Sequence, residues 1–177
     1  MHFAHWRLLA VAALLAFPAA AQAAEPAGAM LSGTFRDWFV YRAGEGESRV
    51  CYALSQPRSS DPANAQRGDV AFLVSTWPAA NKLHEPSVVP GYPYGADATV
   101  QVEVDGETFD FGLVRNEGDE GGAWMQESTL EARLIAAMKD GNDMVVTGTS
   151  ERGTLTRDTY SLAGITAALE SVEQGCN

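Results

Sequence analysis

His84, two cysteines and a surplus of carboxylates are the residues from which this chain could build chemistry. His84 is the one histidine beyond the first five residues. Glu85 and Ser87 stand beside it, the residue types of a serine hydrolase. Such a triad needs three groups converging on one substrate atom, and immediate neighbours in sequence seldom converge. No serine sits in a G-x-S-x-G turn, so His84 is expected in a solvated loop. With both cysteines engaged, a zinc set of His and Cys ligands is lacking. Glu117, Asp119 and Glu120 offer oxygen ligands for calcium, but not in the D-x-D-x-D-G register of a calcium loop. Asp140 and Asp143 flank Gly141-Asn142 as turn residues do. A glycosidase-like carboxylate pair has no specificity among 23 Asp and Glu residues. There is no phosphate-binding loop and no dinucleotide fingerprint. The sequence therefore predicts no catalytic residue, no metal and no cofactor. Its one binding hypothesis is aromatic. Tyr92 and Tyr94, with Trp77 before them and Trp124 elsewhere, could line a partner-binding patch, the alternative being packing beneath a long connection.

Residues 1–23 read as a secretory signal peptide. Arg7 supplies a basic start, Leu8 to Phe17 an apolar core, and Ala21-Gln22-Ala23 a small-residue cleavage site. The apolar run stops at Pro18, short of the roughly 20 residues that a membrane span needs. Cleavage after Ala23 predicts a periplasmic or secreted protein with no integral span. A formal net charge of −11 repels nucleic acid and anionic lipid, and suits a basic partner if charge steers one. In an exported chain, Cys51 and Cys176 are expected to form a disulfide, with free or intermolecular thiols as the alternative. The bond would enclose nearly the whole folded region. Closing so long a loop stabilises by up to about 5 kcal/mol on the chain-entropy account.

The elements that must position these residues read as mainly β. Residues 24–33 are small and polar, a flexible lead-in. Thr34 to Arg42 reads as a central strand, and Arg49 to Ser55 as the next, with Cys51 opposite the face of Val50, Tyr52 and Leu54. Residues 57–68 read as a loop, Asp69 to Trp77 as a buried strand, and 81–97 as an ordered, proline-rich surface loop. Val100, Val102 and Val104 alternate with polar residues up to the turn Asp105-Gly106, and Phe109, Phe111 and Leu113 return. Ser128-x-x-Glu131 reads as a capping box opening a helix with a Leu130–Leu134–Met138 stripe. A hairpin over 143–162 and a last helix through Ile165, Leu169 and Val172 complete the chain. These elements predict one domain over 34–177, a β-sandwich or compact barrel with two short helices.

Several blocks carry a family resemblance. They are G-Y-P-Y at 91–94, V-x-V-x-V-D-G-x-x-F at 100–109, A-W at 123–124 and A-M-K-D-G at 137–141. The longest is G-T-S-E-R-G-T-L-T-R-D-T-Y-S-L-A-G-I-T-A-A-L at 148–169, followed by the closing cysteine. Together they resemble the invasion-associated locus B (IalB) family over roughly residues 35–176. Further cysteines common in that family have no counterpart here. The resemblance implies an exported, envelope-associated, β-rich protein of Gram-negative bacteria that is not an enzyme and binds an envelope or host-facing partner. A periplasmic hydrolase or a small-ligand carrier is the alternative.

Overall fold

The computed structural model describes residues 28–114, 121–125 and 127–176. The signal segment and Glu117, Asp119 and Glu120 lie outside the described residues. Eleven strands and two helices follow in chain order: β1 (Ala29–Phe35), β2 (Trp38–Ala43), β3 (Val50–Ser55), β4 (Ser59–Asp61), β5 (Ala71–Trp77), β6 (Lys82–Val89), β7 (Val100–Val104), β8 (Glu107–Val114), β9 (Gly122–Trp124), α1 (Ser128–Asp140), β10 (Asp143–Thr149), β11 (Leu155–Ser161) and α2 (Ile165–Cys176). All pairings are antiparallel, in the order β1-β2-β3-β5-β6-β9-β8-β7-β10-β11-β4. The two end strands do not pair with each other, so the sheet is open. It folds over its own core as a sandwich, the first of the two expected architectures. The three-residue β9 joins the halves, pairing β6 on one side and β8 on the other.

Side-chain alternation explains how the halves meet. Val100, Val102 and Val104 of β7 are buried, as are Phe109 and Phe111 of β8. Asp105 and Gly106 both take positive φ, the geometry that matches a two-residue hairpin turn to the strands' twist. Phe72 of β5 sits at the centre, its ring edge-on to Trp38 and Tyr160 at centroid distances of 6.4 and 6.0 Å. Leu134 and Met138 of α1, and Ile165, Leu169 and Val172 of α2, complete the same core. A smaller cluster of Tyr41, Tyr52, Leu54 and Ala71 forms on the other face of the first half, with Tyr41 stacked on Tyr52.

Five expectations need correction. The strand expected over Thr34–Arg42 is two strands, β1 and β2, with a tight turn at Arg36-Asp37. Residues 29–33, expected as lead-in, already pair in β1. The expected 57–68 loop contains β4, which pairs with β11. The expected 81–97 loop contains β6, which runs through Pro86. A proline removes one ladder donor, which argues against a strand on sequence alone. Here Pro86 still sits in register with Val74, and its carbonyl accepts the Met125 N–H at 3.4 Å. Finally, the capping box does not form. Glu127 is the N-cap residue, its carbonyl accepts from the N–H groups of Leu130 and Glu131, and the Glu131 side chain is used elsewhere.

The turn of the first hairpin docks against the carboxyl-terminal strand–helix junction. The Asp37 N–H donates to Ala163 O at 3.3 Å, and the Trp38 indole N–H to Ser161 O at 3.1 Å. From that junction α2 packs over β1, β2 and β3, and its last residue, Cys176, is disulfide-bonded to Cys51 of β3 with Cα atoms 5.8 Å apart.

Candidate functional site

The tip of the β5–β6 hairpin carries the largest run of exposed apolar side chains among the described residues. β5 ends at Trp77, residues Pro78–Ala80 form one 3-10 turn, and β6 begins at Lys82. Trp77 is 40% exposed and Leu83 56%. Pro78, Ala79 and Ala80 are exposed between them. The indole N–H of Trp77 donates to Glu85 Oε2 at 3.0 Å, which fixes the ring's orientation. Lys82 Nζ lies 2.8 Å from Glu85 Oε1 and 3.2 Å from Glu131 Oε1 of α1, so its charge is compensated. Between tip and helix runs a groove of about 440 Å³ lined by Ala80, Leu83, His84, Glu131, Ala132 and Ile135. The turn that carries Glu45 and Glu47 packs beside the tip. The site is thus an apolar ridge with an acidic margin.

A β-bulge sets which way its side chains point. Ser75 pairs with Glu85 and Trp77 with Lys82, so Thr76 faces both Leu83 and His84. The extra residue re-aims the strand, as bulges do. His84 takes a φ of 56°, Leu83 is left outside, and the imidazole faces α2. Its Nε2 lies 3.1 Å from Glu173 Oε1, ion-pair distance but without hydrogen-bond alignment. The His84 N–H donates to Thr76 Oγ1 at 3.4 Å, and Cys176 Sγ lies 3.8 Å from Thr76 O. The disulfide therefore closes the floor behind this bulge. The expectation of a solvated loop histidine is corrected: His84 is largely buried on a strand. Ser87 is buried farther along β6 and makes no hydrogen bond to His84.

Burial pushes the His84 pKa below its usual value, Lys139 pushes the same way, and Glu173 opposes both. The unfolded chain takes up this proton near pH 6.5, and the folded chain only at lower pH. Between those values the unfolded state holds more protons, so stability falls as pH drops below about 6.5. His84→Asn, with a side chain that tolerates positive φ, removes that contribution. Chemical denaturation from about pH 7.5 to 5 should show wild type losing stability relative to His84→Asn. Parallel curves would mean that His84 titrates alike in both states.

Tyr92 and Tyr94 do not form the exposed patch expected of them. They are 9% and 6% exposed. Their rings meet edge to face at 5.4 Å, and burial raises the pKa of both hydroxyls. The Tyr92 hydroxyl lies 2.6 Å from Thr156 Oγ1 and 3.3 Å from Gly148 O. Of the proposed aromatic set, Trp77 alone is well exposed, while Trp124 is half-buried in β9. Asp143 forms an exposed ion pair with Arg58 at 2.8 Å. Among the described residues no three His, Cys, Asp or Glu side chains are grouped closely enough to hold a metal ion. A feature with no sequence signal is the buried pair Arg67–Asp158. Arg67 donates from both terminal nitrogens to the carboxylate, at 2.8 and 2.5 Å, and Ser60 Oγ donates to Asp158 Oδ1 at 2.7 Å.

Comparison with known proteins places this architecture. No curated protein matches the chain. The crystal structure of invasion associated protein b from Bartonella henselae superposes with a TM-score of 0.59 at 16% identity, covering 82% of this chain and 97% of that one. At that identity the likeness concerns the fold. The family description "Invasion associated locus B (IalB) protein" matches residues 38–173, a span that runs from the start of β2 almost to the end of α2. The chain belongs to the invasion associated locus B family.

Proposed function

We propose that this is an exported, non-enzymatic binding protein that docks a protein partner on the β5–β6 tip. The observation that carries the reading is the exposed run Trp77-Pro78-Ala79-Ala80 with Leu83, backed by a rigid sheet and braced by the disulfide. Exposed aromatic and aliphatic anchors beside a groove are the usual core of a protein interface. The acidic margin at Glu45, Glu47 and Glu173, in a chain of net charge −11, suits a partner segment that is apolar with basic flanks. Export is supported by the signal-like residues 1–23 and by a structural disulfide, which persists in oxidising compartments. An envelope or host-facing protein is the partner class that such a location supplies.

The test is capture from an envelope fraction with the chain lacking residues 1–23, against the double variant Trp77→Ala, Leu83→Ser. Both positions are exposed, so the variant should melt within about 1 kcal/mol of wild type. A partner retained by wild type, weakened by salt and lost by the variant supports the reading. Equal retention by both would refute it. Substituting Tyr92 and Tyr94 would be uninformative, because their loss would open the core.

A further inference from the structure

A second recess lies on the opposite half of the sandwich, with Tyr92 and Thr156 in its lining. It measures about 220 Å³, smaller than the roughly 300–1,000 Å³ pockets that take drug-sized ligands. Its occupant is therefore one small molecule. One wall is the segment carrying Asn64 and Gln66, and the other is the β10–β11 turn and β11, with Arg152 and Thr154. The walls are anchored before any ligand arrives. Arg67, next to Gln66, is locked bidentate on Asp158 of β11, and the Gly68 N–H donates to Gly91 O at 2.7 Å. On the other side the Ser150 hydroxyl accepts the Thr154 N–H at 3.1 Å, and the Glu151 N–H donates to Pro93 O at 2.9 Å. Such preorganisation lowers the ordering cost of binding.

The polar groups specify the chemistry. Tyr92 and Thr156 share one hydrogen bond, and Gly148 O accepts from whichever hydroxyl is the outer donor. Whichever way that chain runs, both O–H donors are used within it. The floor therefore offers lone pairs, which suit a ligand's hydroxyl donors. Asn64 and Gln66 can donate or accept. Arg152 is exposed and has no ion-pair partner among the described residues, whereas the guanidinium of Arg67 is neutralised by Asp158. An uncompensated guanidinium over hydroxyl acceptors selects a carboxylate that also carries hydroxyls. We infer that this recess binds a small hydroxylated carboxylate, of the size of one sugar acid, independently of the tip.

The test is an amide NMR titration of the folded protein with glucuronate, with glucose as the neutral comparator. Arg152→Gln is the first variant, exposed and outside the core, and Thr154→Val the second. Saturable shifts at Tyr92, Thr154 and Thr156 with glucuronate are expected, with affinity falling about tenfold or more in Arg152→Gln, the scale of one charge-assisted hydrogen bond. Glucose should bind more weakly by a similar factor. No saturable shift with glucuronate, galacturonate or gluconate would overturn the inference. So would an affinity unchanged by Arg152→Gln, or glucose binding as tightly as glucuronate. Capture by the tip is unaffected by any of these results, so the two readings fail separately.

Discussion

Gly164→Val is expected to prevent stable folding. Gly164 holds φ at +98°, and a Cβ built there would lie 2.0 Å from Phe35 O and 2.7 Å from Phe35 C. Those are backbone atoms of β1, which no rotamer change can move aside. The variant must separate the β11–α2 junction from the first hairpin, which removes the Asp37 to Ala163 hydrogen bond and tilts α2 off β1, β2 and β3. Left-handed backbone with a branched side chain costs about 1–2 kcal/mol by itself, and the clash with an immobile chain adds more. A total above about 4 kcal/mol belongs to the exceptional tail of single substitutions and approaches the whole stability of many domains. Gly106→Ala is the matched control. Gly106 also has positive φ, at 85°, but nothing lies within 4 Å of a Cβ there, so only the backbone cost, about 1 kcal/mol, applies. Thermal melts should separate the two variants widely, and equal melting temperatures would show that close approach to β1 does not matter.

Loss of the disulfide is the second large effect. Cys51 and Cys176 join the third strand to the last residue of α2 across 125 positions. A native bridge closing so long a loop stabilises by about 2–5 kcal/mol. Cys51→Ser and Cys176→Ser should each cost that much, and the double variant no more than either alone, because the two side chains act through one bond. Both sulfurs are buried, so reductant should act on the folded protein slowly and on the unfolded chain quickly. Additive losses in the double variant would contradict the account. The consequence reaches the tip: the bridge sits behind Thr76 and beside the Glu173–His84 contact, so the reduced protein should lose partner capture before it loses its sheet.

How much of this was legible in the sequence depends on how local each feature is. Alternation placed β7 and β8, because one dry face repeats every second residue, and the hairpin read over 143–162 is β10 and β11. The two helices were legible from their apolar stripes, and the disulfide from cysteine count together with the expected export. What failed was non-local. Pro86 hides β6, since its missing donor matters only if a neighbour needs it. Tyr92 and Tyr94 looked like loop aromatics because the strands that bury them, through Gly148 and Thr156, lie more than fifty positions away. The capping box failed because Glu131 meets Lys82 from β6, a partner no local pattern announces. His84 faces α2 only because a bulge turns it, and the Arg67–Asp158 pair spans 91 positions. Trp77 was named as a binding residue, but its place on the hairpin tip that also exposes Leu83 required the fold.

The central claim, that the β5–β6 tip docks a protein, is tested most directly by placing a photo-crosslinking residue at position 79 in living cells. The same residue at position 108, exposed on β8, serves as the control. A discrete protein adduct is expected from position 79, lost when Leu83→Ser is added, and none from position 108. No adduct at position 79, or the same adducts from both positions, would contradict it.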